Sequence, residues 1–490
     1  MSDIVISKND EVNIIVRPND SGITMELSEF FTFYVPGYKF VPSYRNKMWD
    51  GKIRLFDTRN YTLPSGLLYH VEQFAESRGY VISNTIQETR DDEDLPSIPL
   101  SAGGKEIALR DYQEEAIKHA LKYKKSLLLS PTGSGKSLMI YMILRWYLET
   151  SNKNALIVVP TTSLVEQMWK DFADYASNDD SFDPNDVHRI YAGKEKESFR
   201  QRVVITTWQS VFKMPRNWFE DYEMVVGDEA HLFKAKSLTT IMGHLRNAWL
   251  RIGTTGTLDG TKVHKLVLEG AFGPTYNVTS TKKLIESNTL SDLNIDVLAL
   301  TYSDQEKKSF GKKTYQEEIS YITQHEKRNN FIRNLALAQE GNTLVLFNLV
   351  EGHGKPLYNL IKEKANPNRK IFFVSGEVGA VDREQIRELV EKEKDAIIVA
   401  SLGTFSTGIN IKNLHNMVFA APTKSQVRVL QSIGRSLRKA ENGQPAKVYD
   451  ICDDLSWKSR KNYTLQHGVE RVKIYAKEQL KFKTHQVPIN

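Results

Sequence analysis

The chain is short of several things, and each shortage excludes something. It carries a single cysteine, Cys452, among 490 residues. No internal disulfide can form, and a reducing, cytoplasmic setting fits. Cys452 itself reads as packed at the end of the strand AKVYDICD. No apolar run approaches the length of a membrane span, so no membrane contact is expected. The opening MSDIVISKNDE has early acids and no long apolar stretch, so no signal peptide is expected there. Low-complexity tracts and short-period repeats are missing. Net charge is only +6, modest for a chain that holds nucleic acid.

What is present is ordinary for a globular protein: 40% hydrophobic and 26% charged residues. The length exceeds what one core fills, so several domains are expected. The charge is unevenly placed. Residues 456–490 hold eight Lys or Arg against two Glu, a local +6, which leaves the rest near zero. A second patch runs from Lys39 to Arg59, with six Lys or Arg against Asp50 and Asp57. It is interleaved with Tyr38, Phe40, Tyr44, Trp49 and Phe56. Such clusters suit phosphates and bases, with Trp49, Lys52 and Arg54 as candidate contacts. A solvated face over aromatic core residues is the plainer alternative.

The segment DDEDLPSIPLSAGGKE, residues 91–106, is acidic and then rich in Pro, Ser and Gly, and reads as a linker. Ahead of it, NIIVRP and IRLFD alternate like strands and VEQFAESRGY reads as a helix. A small α+β accessory domain over 1–95 is expected. Beyond it, buried strands such as ALIVVP, RVVITT, MVVGDEA and LRIGTTGT alternate with helical or loop segments. A second series begins near residue 342 with NTLVLF, KIFFVSG, AIIVAS, NMVFAA and AKVYDIC. Two such series predict two doubly wound parallel-sheet domains, over 105–285 and 286–455. The tail 456–490 reads as a basic helical segment.

The chemistry is concentrated in SPTGSGKS, residues 130–137, and VVGDEAH, residues 225–231. Thr132, Gly133, Ser134 and Gly135 form a loop that can wrap an anion, and Lys136 adds a point charge for the outer phosphates. The Ser137 hydroxyl can reach Mg2+. A strand leads into this loop, and a helix whose N-terminus faces the phosphates follows it. A strict phosphate loop has Gly where Ser130 stands. In the second motif Asp228 sits at a strand tip, where it can hold Mg2+. Glu229 is placed to orient or deprotonate an attacking water.

Other motifs surround these. In LRDYQEEA, residues 109–116, Arg110 and Gln113 precede the phosphate loop, and Gln113 can read an adenine edge. It can equally be an exposed residue of an amphipathic helix. Thr161, Thr162, Thr206 and Thr207 follow strands, where they can bind backbone phosphates or cap helices. GTTGT, residues 253–257, offers the Thr255 and Thr257 hydroxyls as links between a nucleotide site and a nucleic-acid site. In the second series, TFSTGINI contributes Thr404 and Gly408. QSIGRSLRK places Arg435 and Arg438 three apart on one helical face, as a basic turn or as arginine fingers for a γ-phosphate.

The ordered set LRDYQ, SPTGSGKS, VPTTSL, TTWQS, DEAH, GTTGT, TFSTGIN and QSIGRSLR resembles the superfamily 2 helicases. The resemblance implies two RecA-like domains with ATP and Mg2+ between them and a nucleic-acid strand across both. It makes Gln113 the adenine reader, and Lys136 and Ser137 the phosphate and magnesium ligands. Asp228 becomes the magnesium-linked acid and Glu229 the water activator. His231 couples the ATP site to the second domain, and Gln431, Arg435 and Arg438 act as γ-phosphate sensor and fingers. Many relatives carry an acid two residues after the glycine matched by Gly408; here Asn410 stands there.

The flanks narrow the resemblance. Residues 30–57, the LPSGL at 63–67, KTYQEEISYIT at 313–323 and the ending LQHGVERVKIYA look like the branch-migration helicases of T-even bacteriophages. That implies a phage enzyme of the host cytoplasm acting on Holliday junctions, forks, D-loops and RNA–DNA loops. Recombination or single-strand-binding proteins would be its partners, and a monomer would suffice. The rivals are an RNA helicase, a translocase subunit of a restriction or remodelling complex, and an ATP-gated annealing module. No PD-(D/E)xK nuclease pattern supports the second, and intact Lys136, Glu229 and Arg435 oppose the last.

Overall fold

A computed structural model of the chain describes residues 2–86, 92–191, 201–233, 235–258, 262–289, 293–378, 380–408, 411, 413–422 and 445–489. The chain divides into two compact units, 1–130 with 135–278, and 131–134 with 279–490. Among the described residues no helix is long and apolar enough to cross a membrane.

The first unit opens with the accessory domain. Its four-stranded sheet runs Thr62–Pro64, Asn13–Pro18, Ile4–Lys8, Ile82–Asn84. Alternation sets the faces: Ile4, Ile6, Ile14 and Val16 are all buried. Helices Ser21–Phe30 and Leu68–Arg78 cover that face. The first is capped by the Asp20 carboxylate, which accepts from the Gly22 and Ile23 amides. The second ends at Gly79 in the left-handed region. A hairpin, Thr32–Tyr34 with Lys52–Arg54, brackets the aromatic and basic segment.

The same unit holds a seven-stranded sheet in the order Val187–Ile190, Val203–Thr207, Asn154–Val159, Tyr222–Gly227, Leu250–Thr255, Lys125–Leu129, Thr275–Asn277. Every pairing is parallel. The central strands are buried on both faces, which is why they read as unbroken apolar runs.

Accessory domain and sheet are stitched together by polar contacts across a close approach. Arg251, 1% exposed, donates to the carbonyls of Ala271, Leu245, Met242 and, in the accessory domain, Glu11. The Glu11 carboxylate lies 3.0 Å from Lys125 Nζ. His70 Nε2 meets Glu269 Oε2 at 2.9 Å. Leu266, on the helix Lys262–Phe272, is buried within the accessory core.

The second unit holds another all-parallel seven-stranded sheet: Ile371–Val374, Ile397–Ser401, Thr343–Phe347, Asn416–Phe419, Ala446–Asp454, Leu293–Thr301, Phe482–Pro488. The expected fold class, two doubly wound sheets with a small α+β domain, is therefore the observed one.

The tail corrects the sequence reading. Tyr463–Lys477 is a helix, but Phe482–Pro488 adds a strand to the sheet, in register from Ile295↔Phe482 to Thr301↔Pro488. That strand is an edge with Lys483, Thr484, His485 and Gln486 exposed, so no apolar alternation announced it. Nor is the helix basic throughout its surface. Arg471 is fully buried and donates to Asp450, which also accepts from Tyr475. Cys452 lies in strand Ala446–Asp454, packed against Gly468 of the helix, and burial pushes its thiol up to about 12. It is an inert core thiol.

Candidate nucleotide site and nucleic-acid interface

Five adjacent strands of the first sheet each end in a motif. The strands ending at Leu129, Thr255, Gly227, Val159 and Thr207 are consecutive neighbours in the sheet. Because all run parallel, the phosphate loop, GTTGT, DEAH, VPTT and ITTW emerge at one edge, where open α/β sheets bind ligands.

The phosphate loop has the backbone its glycines predict. Gly133 and Gly135 have φ of 84° and 82°, a region open to glycine at little cost. Gly135 caps the fifteen-residue helix Lys136–Thr150, whose first amides lack intrahelical partners. A Cβ at Gly135 would lie 2.3 Å from the Gln113 amide nitrogen, so Gln113 packs directly on the loop. Gln113 is 2% exposed and its Oε1 accepts from the Arg110 amide at 3.0 Å, forming a capping box for helix Asp111–Tyr123. The alternative of an exposed glutamine is thereby excluded. Arg110 is exposed and its guanidinium donates to the Tyr112 hydroxyl. Ser134 is buried and donates to the Pro131 carbonyl.

Lys136 Nζ is 3.3 Å from the Ser130 carbonyl and 3.6 Å from Glu229 Oε1. Asp228 is buried and accepts from the Thr254 hydroxyl at 2.6 Å. Burial first, and the Glu229 carboxylate second, push its pKa up, against the pull of Lys136 and Thr254. Glu229 has φ of 48°, left-handed for a residue with a Cβ. Such strain persists where surrounding contacts hold it, often at functional positions. From Glu229 a chain of contacts leads inward. His231 Nδ1 lies 3.5 Å from Glu229 Oε2 and 2.7 Å from Thr255 Oγ1. The Thr255 hydroxyl donates to the Thr257 carbonyl at 2.8 Å, so Nδ1 of His231 is the donor to Thr255. Thr257 is itself buried. Ser137 Oγ is 2.8 Å from the Tyr175 hydroxyl.

The other expected contacts divide. Thr161 caps helix Thr162–Tyr175, accepting from the Leu164 amide, and Thr162 is exposed. Thr206 does not face outward: it is fully buried and donates to the Ile190 carbonyl. As placed, its hydroxyl offers nothing to a phosphate, because strand alternation turns it into the sheet. Thr207 is buried and bonded to Ser210. In the second unit Thr404 is buried and its hydroxyl accepts from Ser401. Gly408 ends the helix Leu402–Gly408. Asn410, Gln431, Arg435 and Arg438 lie outside the described residues.

The hairpin lobe presents a stacked aromatic series. Tyr34 stacks on Tyr38 at 4.8 Å, Tyr44 meets Tyr38 edge-on at 4.7 Å, and Lys52 Nζ sits 4.9 Å over the Tyr34 ring. Trp49 is half-buried and donates from Nε1 to the Lys52 carbonyl at 2.9 Å. Arg54 is exposed and paired with Asp50. The apolar side chains that do project are Phe40, 76% exposed, and Met48, 74% exposed.

The match to known proteins spans all three parts of the chain. The family model of the DNA helicase UvsW N-terminal domain matches residues 3–84, that of the type III restriction enzyme res subunit 106–260, and that of the helicase conserved C-terminal domain 326–440. The ATP-dependent DNA helicase uvsW of Enterobacteria phage T4 is 38% identical over 481 residues, covering 93% of this chain and 94% of that protein. The chain belongs to the UvsW family of helicases. It is an ATP-dependent superfamily 2 DNA helicase. The crystal structure of T4 UvsW aligns over 100% of both chains at 34% identity with a TM-score of 0.53. The DNA 3'-5' translocase XPB2 of Sulfurisphaera tokodaii is 24% identical over 400 residues, covering 75% of this chain and 87% of that one.

Several side chains at the sites of this UvsW-family helicase escape sequence reasoning. Thr254 lies inside GTTGT, yet only the neighbouring strand's geometry selects it as the partner of Asp228. Tyr175 stands 38 residues from Ser137, and no spacing rule joins them. The signal for Phe40 and Met48 is an apolar residue set among lysines and arginines, which aromatic type alone does not pick out.

Proposed function

We propose that this helicase couples ATP hydrolysis to the remodelling of branched DNA: Holliday junctions, forks, D-loops and RNA–DNA loops. The observation that carries the reading is the hairpin lobe of the accessory domain. Exposed Phe40 and Met48 project among Lys39, Arg45 and Lys47, beside a stacked tyrosine series. Apolar wedges rimmed by cations are how proteins part or kink stacked bases. The lysines and arginines of the lobe, and the exposed ones of the tail, bind phosphates with little sequence preference and strong salt dependence. Partners in recombination and single-strand binding, and the host cytoplasm, follow from that substrate.

The residues at the strand edge fit ATP and Mg2+. Two left-handed glycines ahead of a helix N-terminus form an anion cradle that a Cβ at Gly135 would fill. Ser137 and Asp228 supply the hard oxygens that Mg2+ prefers. Two adjacent carboxylates facing one lysine leave negative charge that a divalent cation would offset. When bound, Mg2+ neutralises charge on the transferred phosphoryl group. Lys136 holds the outer phosphates, and Glu229 orients and deprotonates the water. His231 and Thr255 carry the state of Glu229 into the sheet. Gln113 braces the phosphate loop and is assigned to adenine. Gln431, Arg435 and Arg438 are assigned to the γ-phosphate by family resemblance.

The test is ATP hydrolysis and strand separation on a synthetic four-way DNA junction, with linear duplex and structured RNA as controls. Junction-selective, ATP-dependent separation is expected, and it falls in Phe40→Ala/Met48→Ala while Trp49→Phe stays near wild type. Stimulation mainly by RNA, with the junction intact, would overturn the substrate.

A further inference from the structure

The serine of the phosphate loop has an unexpected neighbour. Ser137 Oγ lies 2.8 Å from Tyr175 Oη, at the C-terminal end of helix Thr162–Tyr175. Tyr175 is held there by the phosphate-loop helix itself, its ring 5.7 Å from that of fully buried Tyr141. Asp228, the other candidate metal-facing group, is also held by a hydroxyl, that of Thr254 at 2.6 Å. Each of the two oxygen donors thus has a hydroxyl partner that fixes how its lone pairs point.

A serine hydroxyl binds a hard cation through an oxygen lone pair, so its proton must be directed elsewhere. Tyr175 Oη lies within hydrogen-bond distance of Ser137 Oγ and can accept from it. We propose that Tyr175 is a positioning residue for the metal: it accepts the Ser137 proton and so turns the serine lone pair toward Mg2+. No bond is made or broken; the tyrosine sets the direction of one hydroxyl. The assignment rests on the ATP–Mg2+ reading above. A purely structural role, through the ring or the hydroxyl, would leave the Mg2+ dependence of nucleotide binding unchanged.

Tyr175→Phe in the full-length protein separates these, because it keeps the ring and removes only the oxygen. Binding of a fluorescent ADP is titrated with and without Mg2+, alongside thermal melting. The Mg2+ concentration for half-maximal tight binding is expected to rise about five-fold, the loss of one hydrogen bond. Nucleotide affinity without Mg2+ and the melting temperature stay at wild-type values. Unchanged Mg2+ dependence overturns the assignment, as does equal weakening with and without Mg2+. Wild-type protein that binds no nucleotide would instead overturn the ATP-site reading on which the assignment rests.

Discussion

Gly66 of the accessory domain packs against backbone at the end of helix Lys262–Phe272, and a single methyl group there should be felt. A Cβ at Gly66 would lie 2.0 Å from the Glu269 carbonyl oxygen, 2.8 Å from the Gly273 nitrogen and 3.0 Å from the Gly270 oxygen. All three are backbone atoms, and the Glu269 carbonyl is already bonded to the Gly273 amide. Ordinary carbon–oxygen contacts begin near about 3.3 Å, so one side must retreat by roughly 1.3 Å. If the domain stays docked, overpacking costs about 1–3 kcal/mol. If it moves off, it forfeits the Arg251–Glu11, Lys125–Glu11 and His70–Glu269 contacts. Charged hydrogen bonds of this kind are worth about 1.5–3 kcal/mol each. Either route lowers the melting of the first unit by about 2–4 °C or more. Hydrogen exchange should quicken at Glu11–Val16. ATPase on single-stranded DNA should persist, because the clash lies at the opposite ends of the strands from the phosphate loop. Gly66→Ala melting within about 1 °C of wild type, with unchanged exchange, would refute the rigid docking.

Glu229→Gln keeps the shape of the site and removes the proposed base; DNA-stimulated turnover should fall about a hundred- to ten-thousand-fold, and surviving turnover would displace Glu229 from that role. Asp450→Asn leaves the buried Arg471 cation uncompensated, which should cost about 3–5 kcal/mol in chemical unfolding; a loss too small to measure would mean the pair is solvated. His119 is stacked on Tyr276 at 3.9 Å, and burial lowers its pKa from 6.5 to about 4. Its neutral form supports folding fully above pH 6.5, and that support is lost as pH falls toward 4. Wild type should therefore lose more stability than His119→Phe between pH 7 and 4.5, and equal losses would place the charge change elsewhere.

The motor was legible because its elements obey strong local rules. Unbroken apolar runs mark strands buried on both faces, and glycines mark the phosphate loop by the φ values they alone adopt cheaply. The adjacency of five motifs followed from parallel winding, which makes all the strands end at one edge. What escaped depends on tertiary placement. The edge strand Phe482–Pro488 pairs through its backbone, which no side-chain pattern records. Arg471 counted as surface charge in the sequence and is buried against Asp450. The sequence offers Thr206 as a phosphate contact or a helix cap, but which face of its strand it occupies is fixed by the neighbours of the sheet. Trp49 stands in the sequence as a candidate contact or a core residue; its indole nitrogen is engaged by the Lys52 carbonyl, while Phe40 and Met48 project.

One strand connects these observations. Leu250–Thr255 carries Arg251 near its start and Thr254 and Thr255 at its end. At one end Arg251 grips the Glu11 carbonyl of the accessory domain. At the other, Thr254 holds Asp228 and Thr255 accepts from His231. From Arg251 to Thr254 and Thr255 is three to four steps of extended chain, about 10–13 Å, paired with Lys125–Leu129 throughout and with Tyr222–Gly227 as far as Gly253. Helix Lys262–Phe272, next in the chain, runs back to supply Glu269 and Leu266 to the accessory domain. A paired strand and a packed helix do not stretch, so the accessory domain is held in fixed register with the carboxylates of the ATP site. The hairpin lobe lies in the same compact unit as Asp228 and Glu229. On the proposed function, a wedge borne this way would meet DNA at a position set by the motor itself, and would need no hinge of its own to be driven against a branch point.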